Sequence, residues 1–139
     1  MRRLLAAFLG AAVVAGCGPS AEQTAGFRQR SESYTFRVSS NVSPPAAREP
    51  IEYTVVIFDR ETGQPVENGE GQLFAQNLQG KKTYDALAKA PQAGTYTATV
   101  SYLLAGEWAV AIRFRRDSTA SLERIDWMQQ VEAERDPIQ

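Results

Sequence analysis

Three consecutive pieces of the chain decide how it folds: TYTATVSYL at residues 95–103, AGE at residues 105–107 and WAVAIRFR at residues 108–115. In the first, Tyr96, Ala98, Val100 and Tyr102 fall on one face of an extended segment. In the last, Trp108, Val110, Ile112 and Phe114 do the same, alternating with small or charged residues. Such alternation marks strands with one buried face. Ala105-Gly106-Glu107 turns the chain between them, so the sequence predicts a β-hairpin here.

Upstream, Ile51 to Phe58 is the most β-prone run. Ile51, Tyr53, Val55 and Ile57 share one face, and Val56 and Phe58 make the other apolar, which places this strand centrally. Tyr34, Phe36 and Val38 alternate in the same way. Gly71 to Gln76 reads as a short strand around Leu73, and Lys82 to Lys89 as another. Loops rich in Pro, Gly and Asn separate these runs at residues 41–50 and 59–69, Asn77 to Gly80 is a turn, and Pro91-Gln92-Ala93-Gly94 reads as a tight turn.

Leu122 to Val131 admits two readings. Ile125, Trp127, Gln129 and Val131 would share a strand face, whereas Leu122, Ile125 and Met128 would share a helix face. The strand is favoured because a sandwich of six clear strands needs an edge partner. The expectation is an all-β, immunoglobulin-like β-sandwich of about seven strands, a single domain over residues 33–135. Trp108, Tyr96, Phe114, Ile57 and Val55 are expected at the centre of its core, with Tyr53 and Tyr102 as packing residues.

The start of the chain has a different character. Arg2 and Arg3 precede an apolar stretch from Leu4 to Ala15, too short for a membrane span of roughly 20 residues but suited to an export signal. Val14-Ala15-Gly16-Cys17 then resembles the lipobox of bacterial lipoproteins. The resemblance implies cleavage after residue 16 and lipidation of Cys17, which anchors the chain to a membrane. Gly18 after the cysteine implies sorting to the outer membrane, facing the periplasm. Residues 17–32 are expected to be the lipidated cysteine and a flexible tether, in which Phe27 is the lone bulky residue and has no evident partner.

Composition narrows the function. The 139 residues carry a net charge of -1, and losing Arg2 and Arg3 with the signal leaves -3. No nucleic acid partner is expected, because phosphate binding needs a basic face. There is no histidine, and Cys17 is the single cysteine, so neither an internal disulfide nor a Cys/His metal cage is available. A serine nucleophile lacks its histidine base, and an acylated Cys17 is no nucleophile. The chain is therefore expected not to be an enzyme and to need no cofactor.

Two clusters remain. Asp59, Glu61, Glu67 and Glu70 flank one loop and are the candidate calcium ligands, since calcium takes carboxylate oxygens. Their spacing matches no calcium motif, and a solvated loop is the favoured reading of them. Arg113, Arg115 and Arg116 close the Trp108 strand, where they serve either an acidic partner or a polar strand face.

Asp59, Gly63-Gln64-Pro65-Val66, Gly94-Thr95-Tyr96 and Gly106-Glu107-Trp108 leading into the Val110-Ile112-Phe114 alternation resemble the FixH and YtkA-like domains, over roughly residues 50–115. The resemblance implies an exported immunoglobulin-like sandwich, in a group some of whose members are associated with copper handling or oxidase assembly. This sequence departs where copper ligands would be needed. It has no histidine, and Phe74-Ala75-Gln76-Asn77-Leu78 stands where a methionine-containing segment would be sought.

Two functions are thus in play. One is a membrane-anchored, non-enzymatic binding or assembly module with an envelope protein partner. The other is a periplasmic carrier or accessory protein for a small ligand or metal, calcium or copper-related. An exposed apolar patch or free strand edge would favour the first, and a concave pocket with convergent oxygens the second.

Overall fold

The computed structural model describes residues 26–136, with nine strands and no helix among them. They are β1 (Phe27–Arg30), β2 (Tyr34–Ser40), β3 (Pro50–Asp59), β4 (Glu70–Asn77), β5 (Lys82–Ala86), β6 (Ala88–Lys89), β7 (Thr95–Ser101), β8 (Gly106–Arg115) and β9 (Glu123–Val131). One sheet has the order β1-β2-β3-β7-β6, the other β5-β4-β8-β9, and every pairing between neighbours is antiparallel. The order β2-β3-β7-β6 against β5-β4-β8-β9 matches the ABED and CFG sheets of an immunoglobulin sandwich, with an added strand beside C.

The alternating residues meet between the sheets. Phe36, Val55, Ile57 and Ile51 from one side face Trp108, Val110, Ile112 and Phe114 from the other, and all are buried. Phe114 is the aromatic hub, with Tyr34 and Tyr96 packed edge-on at centroid distances of 5.1 and 5.4 Å. Trp108 is fully buried, stacks edge-on with Tyr102 and donates its indole N–H to the Leu104 carbonyl at 2.9 Å. The five residues expected at the core centre are all there. Residues 123–131 form a strand, paired along its length with β8, rather than a helix.

Three expectations need correction. First, TYTATVSYL and WAVAIRFR are not a hairpin: β7 pairs with β3 and β8 with β4, so residues 102–105 arch from one sheet to the other. The arch forms because its connector is apolar. Tyr102 is fully buried and Leu104 packs on the core, whereas a two-residue hairpin turn would carry exposed Asn-Gly or a similar pair. Second, the described residues form nine strands rather than about seven. Lys82 to Lys89 divides at Leu87 and passes from β4 in one sheet to β7 in the other, which closes that side of the sandwich.

Third, the tether reading of residues 17–32 fails from Phe27 onward. β1 pairs with β2, and the Phe27 ring packs edge-on against Trp127 at 4.9 Å. Gln29 Nε2 also donates to the Asp126 carbonyl at 2.9 Å, so β1 covers the flank of edge strand β9. The expected signal, Cys17 and residues 18–25 of the tether lie outside the described residues.

Gly94 takes a positive φ of 69° in its turn, and an added Cβ there would come within 2.6 Å of Pro65 Cβ and 2.9 Å of the Ile57 carbonyl. The turn brings β7 against the loop after β3, so only glycine serves.

Candidate interaction face

The outer surface of the four-stranded sheet follows directly from its inner one. Since Trp108, Val110, Ile112 and Phe114 point inward, Glu107, Ala109, Ala111, Arg113 and Arg115 point outward. Leu73 and Ala75 are buried on β4, which leaves Phe74 and Gln76 outward. Register then aligns Tyr84, Phe74, Ala111 and Asp126 in one row across β5, β4, β8 and β9. Lys82, Gln76, Ala109 and Met128 form the adjacent row.

The result is an apolar strip on the outside of a sheet. Tyr84 is 67% exposed and Met128 58%, although both are large and apolar. Between them Ala109 and Ala111 keep the middle of the sheet low, and a depression of about 270 Å³ opens among Gln76, Asn77, Leu78, Glu107, Ala109 and Met128. Small residues on a central strand flanked by larger ones let another backbone or side chain approach the sheet closely. The rim carries both signs of charge, with Lys82, Arg113 and Arg124 against Glu107 and Asp126.

The sequence-derived candidates lie elsewhere. Asp59 accepts the backbone N–H groups of Glu61 and Thr62 and pairs with Arg116. The Arg116 hydrogen bond, then the Thr62 N–H, hold its carboxyl at about 2, below the usual 3.8. Glu70 pairs with Arg115 across the β4–β8 ladder instead. The four acids are therefore not brought together, and no group of three potential ligands gathers among the described residues. Arg116 also lies over the Tyr34 ring, and the Tyr34 hydroxyl accepts its backbone N–H at 3.1 Å. Of the three arginines only Arg113 has no carboxylate partner among the described residues, and it lies at the border of the apolar strip.

A wider hollow of about 660 Å³ sits at the Asp59 end, lined by Glu32, Ser33, Asp59, Arg60, Glu61 and Arg116. Small-ligand sites are mostly apolar with a few polar groups. This one is lined by polar and charged residues and is more polar than apolar, and Arg116 and Arg60 are engaged by Asp59 and by the Ser31 carbonyl. Tyr53, Tyr96, Tyr102 and Trp108 are core residues. Burial raises the hydroxyl pKa of Tyr53, Tyr96 and Tyr102.

Tyr84, Phe74 and Met128 escaped the sequence reading as functional residues. The available signal was the pair Ala109 and Ala111, alternating with Trp108, Val110 and Ile112 on the other side of the same strand.

No known family profile and no curated protein matches the chain. Among solved structures it is similar to a DUF4426 family protein from Pseudomonas aeruginosa PAO1, with a TM-score of 0.58 at 10% identity over 79% of this chain and 97% of that one. A likeness at that identity shows a shared small β-sandwich fold.

Proposed function

We propose that the chain is a lipid-anchored lipoprotein of the cell envelope, whose sandwich is a non-enzymatic binding or assembly module presenting the outer face of the β5-β4-β8-β9 sheet to an envelope protein. The anchor reading is supported by Arg2 and Arg3, the apolar stretch that follows, and Val14-Ala15-Gly16-Cys17. The binding reading is carried by one observation, the exposure of Tyr84 and Met128 beside the low Ala109–Ala111 strip. Contiguous apolar surface with a polar rim is characteristic of protein contact sites. The resemblance of residues 50–115 to the FixH and YtkA-like domains supports reading the module as an exported accessory protein. The carrier reading has less support, because Asp59, at the end of β3, and Glu70, at the start of β4, are engaged by separate arginines, Arg116 and Arg115.

Site-specific photocrosslinking tests the face. A photoreactive residue at position 84 or 128 in cells should give one discrete adduct in the envelope fraction. The same residue at Thr97, on the other sheet, should not. Equal or absent adducts at all three positions would overturn the assignment.

A further inference from the structure

The register places several chain segments at one end of the sandwich. Val38, near the end of β2, pairs with Phe27, and Pro50 pairs with Ser101 at that same end. In the other sheet Gly106 pairs with Val131, Asn77 with Trp108, and Lys82 with Gln76. The chain therefore enters the domain at the end that carries the β4–β5 turn and the β7–β8 arch.

That end displays apolar side chains at its tips. Leu78, in the β4–β5 turn, is 97% exposed, and Leu103, in the arch, is 47% exposed. Both are held there by structure. Asn77 N–H donates to the Lys81 carbonyl, Gly80 N–H to the Asn77 carbonyl, and Lys81 N–H to Asn77 Oδ1, which fixes the turn around Leu78. The arch is pinned by Trp108 bonding the Leu104 carbonyl while Leu104 packs inward, which leaves Leu103 outside. Beside Leu78 follow Lys81 and Lys82, which pair with no carboxylate among the described residues. Of the acids at this end, Glu49, Glu132 and Glu134 are engaged by Arg135 and Arg48, while Glu52 and Glu107 have no cationic partner among the described residues.

We propose that this end of the sandwich rests on the phospholipid surface, with Leu78 and Leu103 dipping into the interface and Lys81 and Lys82 meeting lipid phosphates. The inference rests on the lipid anchor at Cys17. Nine residues, 18–26, separate Cys17 from β1. Fully extended they reach about 35 Å. β8 alone is about 33 Å long. Only a completely stretched chain would let the opposite end touch the bilayer, whereas the near end reaches it easily. Exposed leucines next to lysines suit the boundary between acyl chains and headgroups. Upright on this end, the sandwich would hold the four-stranded sheet sideways, with the Lys82–Met128 row next to the bilayer and the Tyr84 row one step farther out.

Single thiols introduced at Leu78, Leu103, Arg37 and Ser118 of the full lipidated chain can carry an environment-sensitive fluorophore, because acylation occupies Cys17. The protein is reconstituted in vesicles of phosphatidylethanolamine and phosphatidylglycerol containing a spin-labelled lipid. Probes at 78 and 103 should shift to the blue and be quenched by the labelled lipid, while those at 37 and 118 should not. Equal quenching at 37 would mean that the domain lies on its five-stranded sheet, and quenching at 118 alone, or at no position, would mean that this end is not docked. Each outcome overturns the proposal. The same probes in a Cys17→Ser chain held on nickel-lipid vesicles by an added N-terminal hexahistidine tag separate the two ideas. If lipidation fails but positions 78 and 103 are still quenched on tethered vesicles, the anchor is wrong and the docking end stands.

Discussion

The hydroxyls of Tyr53 and Tyr102 meet at 2.6 Å inside the core, on residues 2% and 0% exposed. Each is the hydrogen-bond partner of the other, and they join β3 to the arch before β8. Removing one hydroxyl strands the other in an apolar environment, which costs about 1–3 kcal/mol, whereas removing both is nearly neutral. Tyr102→Phe should therefore lower stability by that amount, and Tyr53→Phe/Tyr102→Phe should recover most of it. Urea unfolding of the two single variants and the double variant measures the coupling, and additive losses would show that the hydroxyls act independently.

Trp108 is fully buried between the sheets and its indole N–H is bonded to the arch. Trp108→Ala should cost about 3–5 kcal/mol, the range for a deeply buried large aromatic. That is a large part of the total for a domain of this size. In a Trp127→Phe background, Trp108 emission should be blue-shifted and poorly quenched by acrylamide. A near-normal melt of the alanine variant would contradict the packing.

Acid should act through Asp59. Its carboxyl, bonded by Arg116, Thr62 and Glu61, has a folded pKa of about 2 against an ordinary 3.8. A carboxyl with a depressed folded pKa adds stability above its unfolded value, and that stability is lost as pH falls through the folded value. The loss from this residue should therefore fall between about pH 4 and pH 2. Asp59→Asn should flatten the fall of Tm across that window. The pair lies at the surface, so the effect should be modest and should shrink with salt. An unchanged acid limb in Asp59→Asn would show that other carboxylates carry it.

Much of this architecture was legible because period-two alternation reports burial directly, as in Trp108, Val110, Ile112 and Phe114. The arch was not, because alternation looks the same whether two strands pair with each other or face each other across a core. What distinguished them was the apolar connector Tyr102-Leu103-Leu104. β1 was hidden for another reason. Phe-Arg-Gln-Arg has one apolar residue, and the partner that orders it, Trp127, lies far along the chain. The outer face was legible only at Ala109 and Ala111. Whether Tyr84 and Met128 are covered depends on what packs over the sheet, which no local pattern encodes.

The acids Asp59, Glu61, Glu67 and Glu70 are expected to play no part in metal binding, since Asp59 and Glu70 are already paired with Arg116 and Arg115. Chelator should leave Tm unchanged, and added calcium should not raise it. A clear fall on chelation would return these four residues to the role of calcium ligands.

The anchor at Cys17 is the premise from which the orientation of the domain at the membrane is argued. Growing cells with labelled palmitate and fractionating them tests it directly. Wild-type protein should take up the label and remain with membranes, while Cys17→Ser should do neither. A Cys17→Ser protein that still partitions with membranes, beside a wild type that takes up no label, would contradict the account.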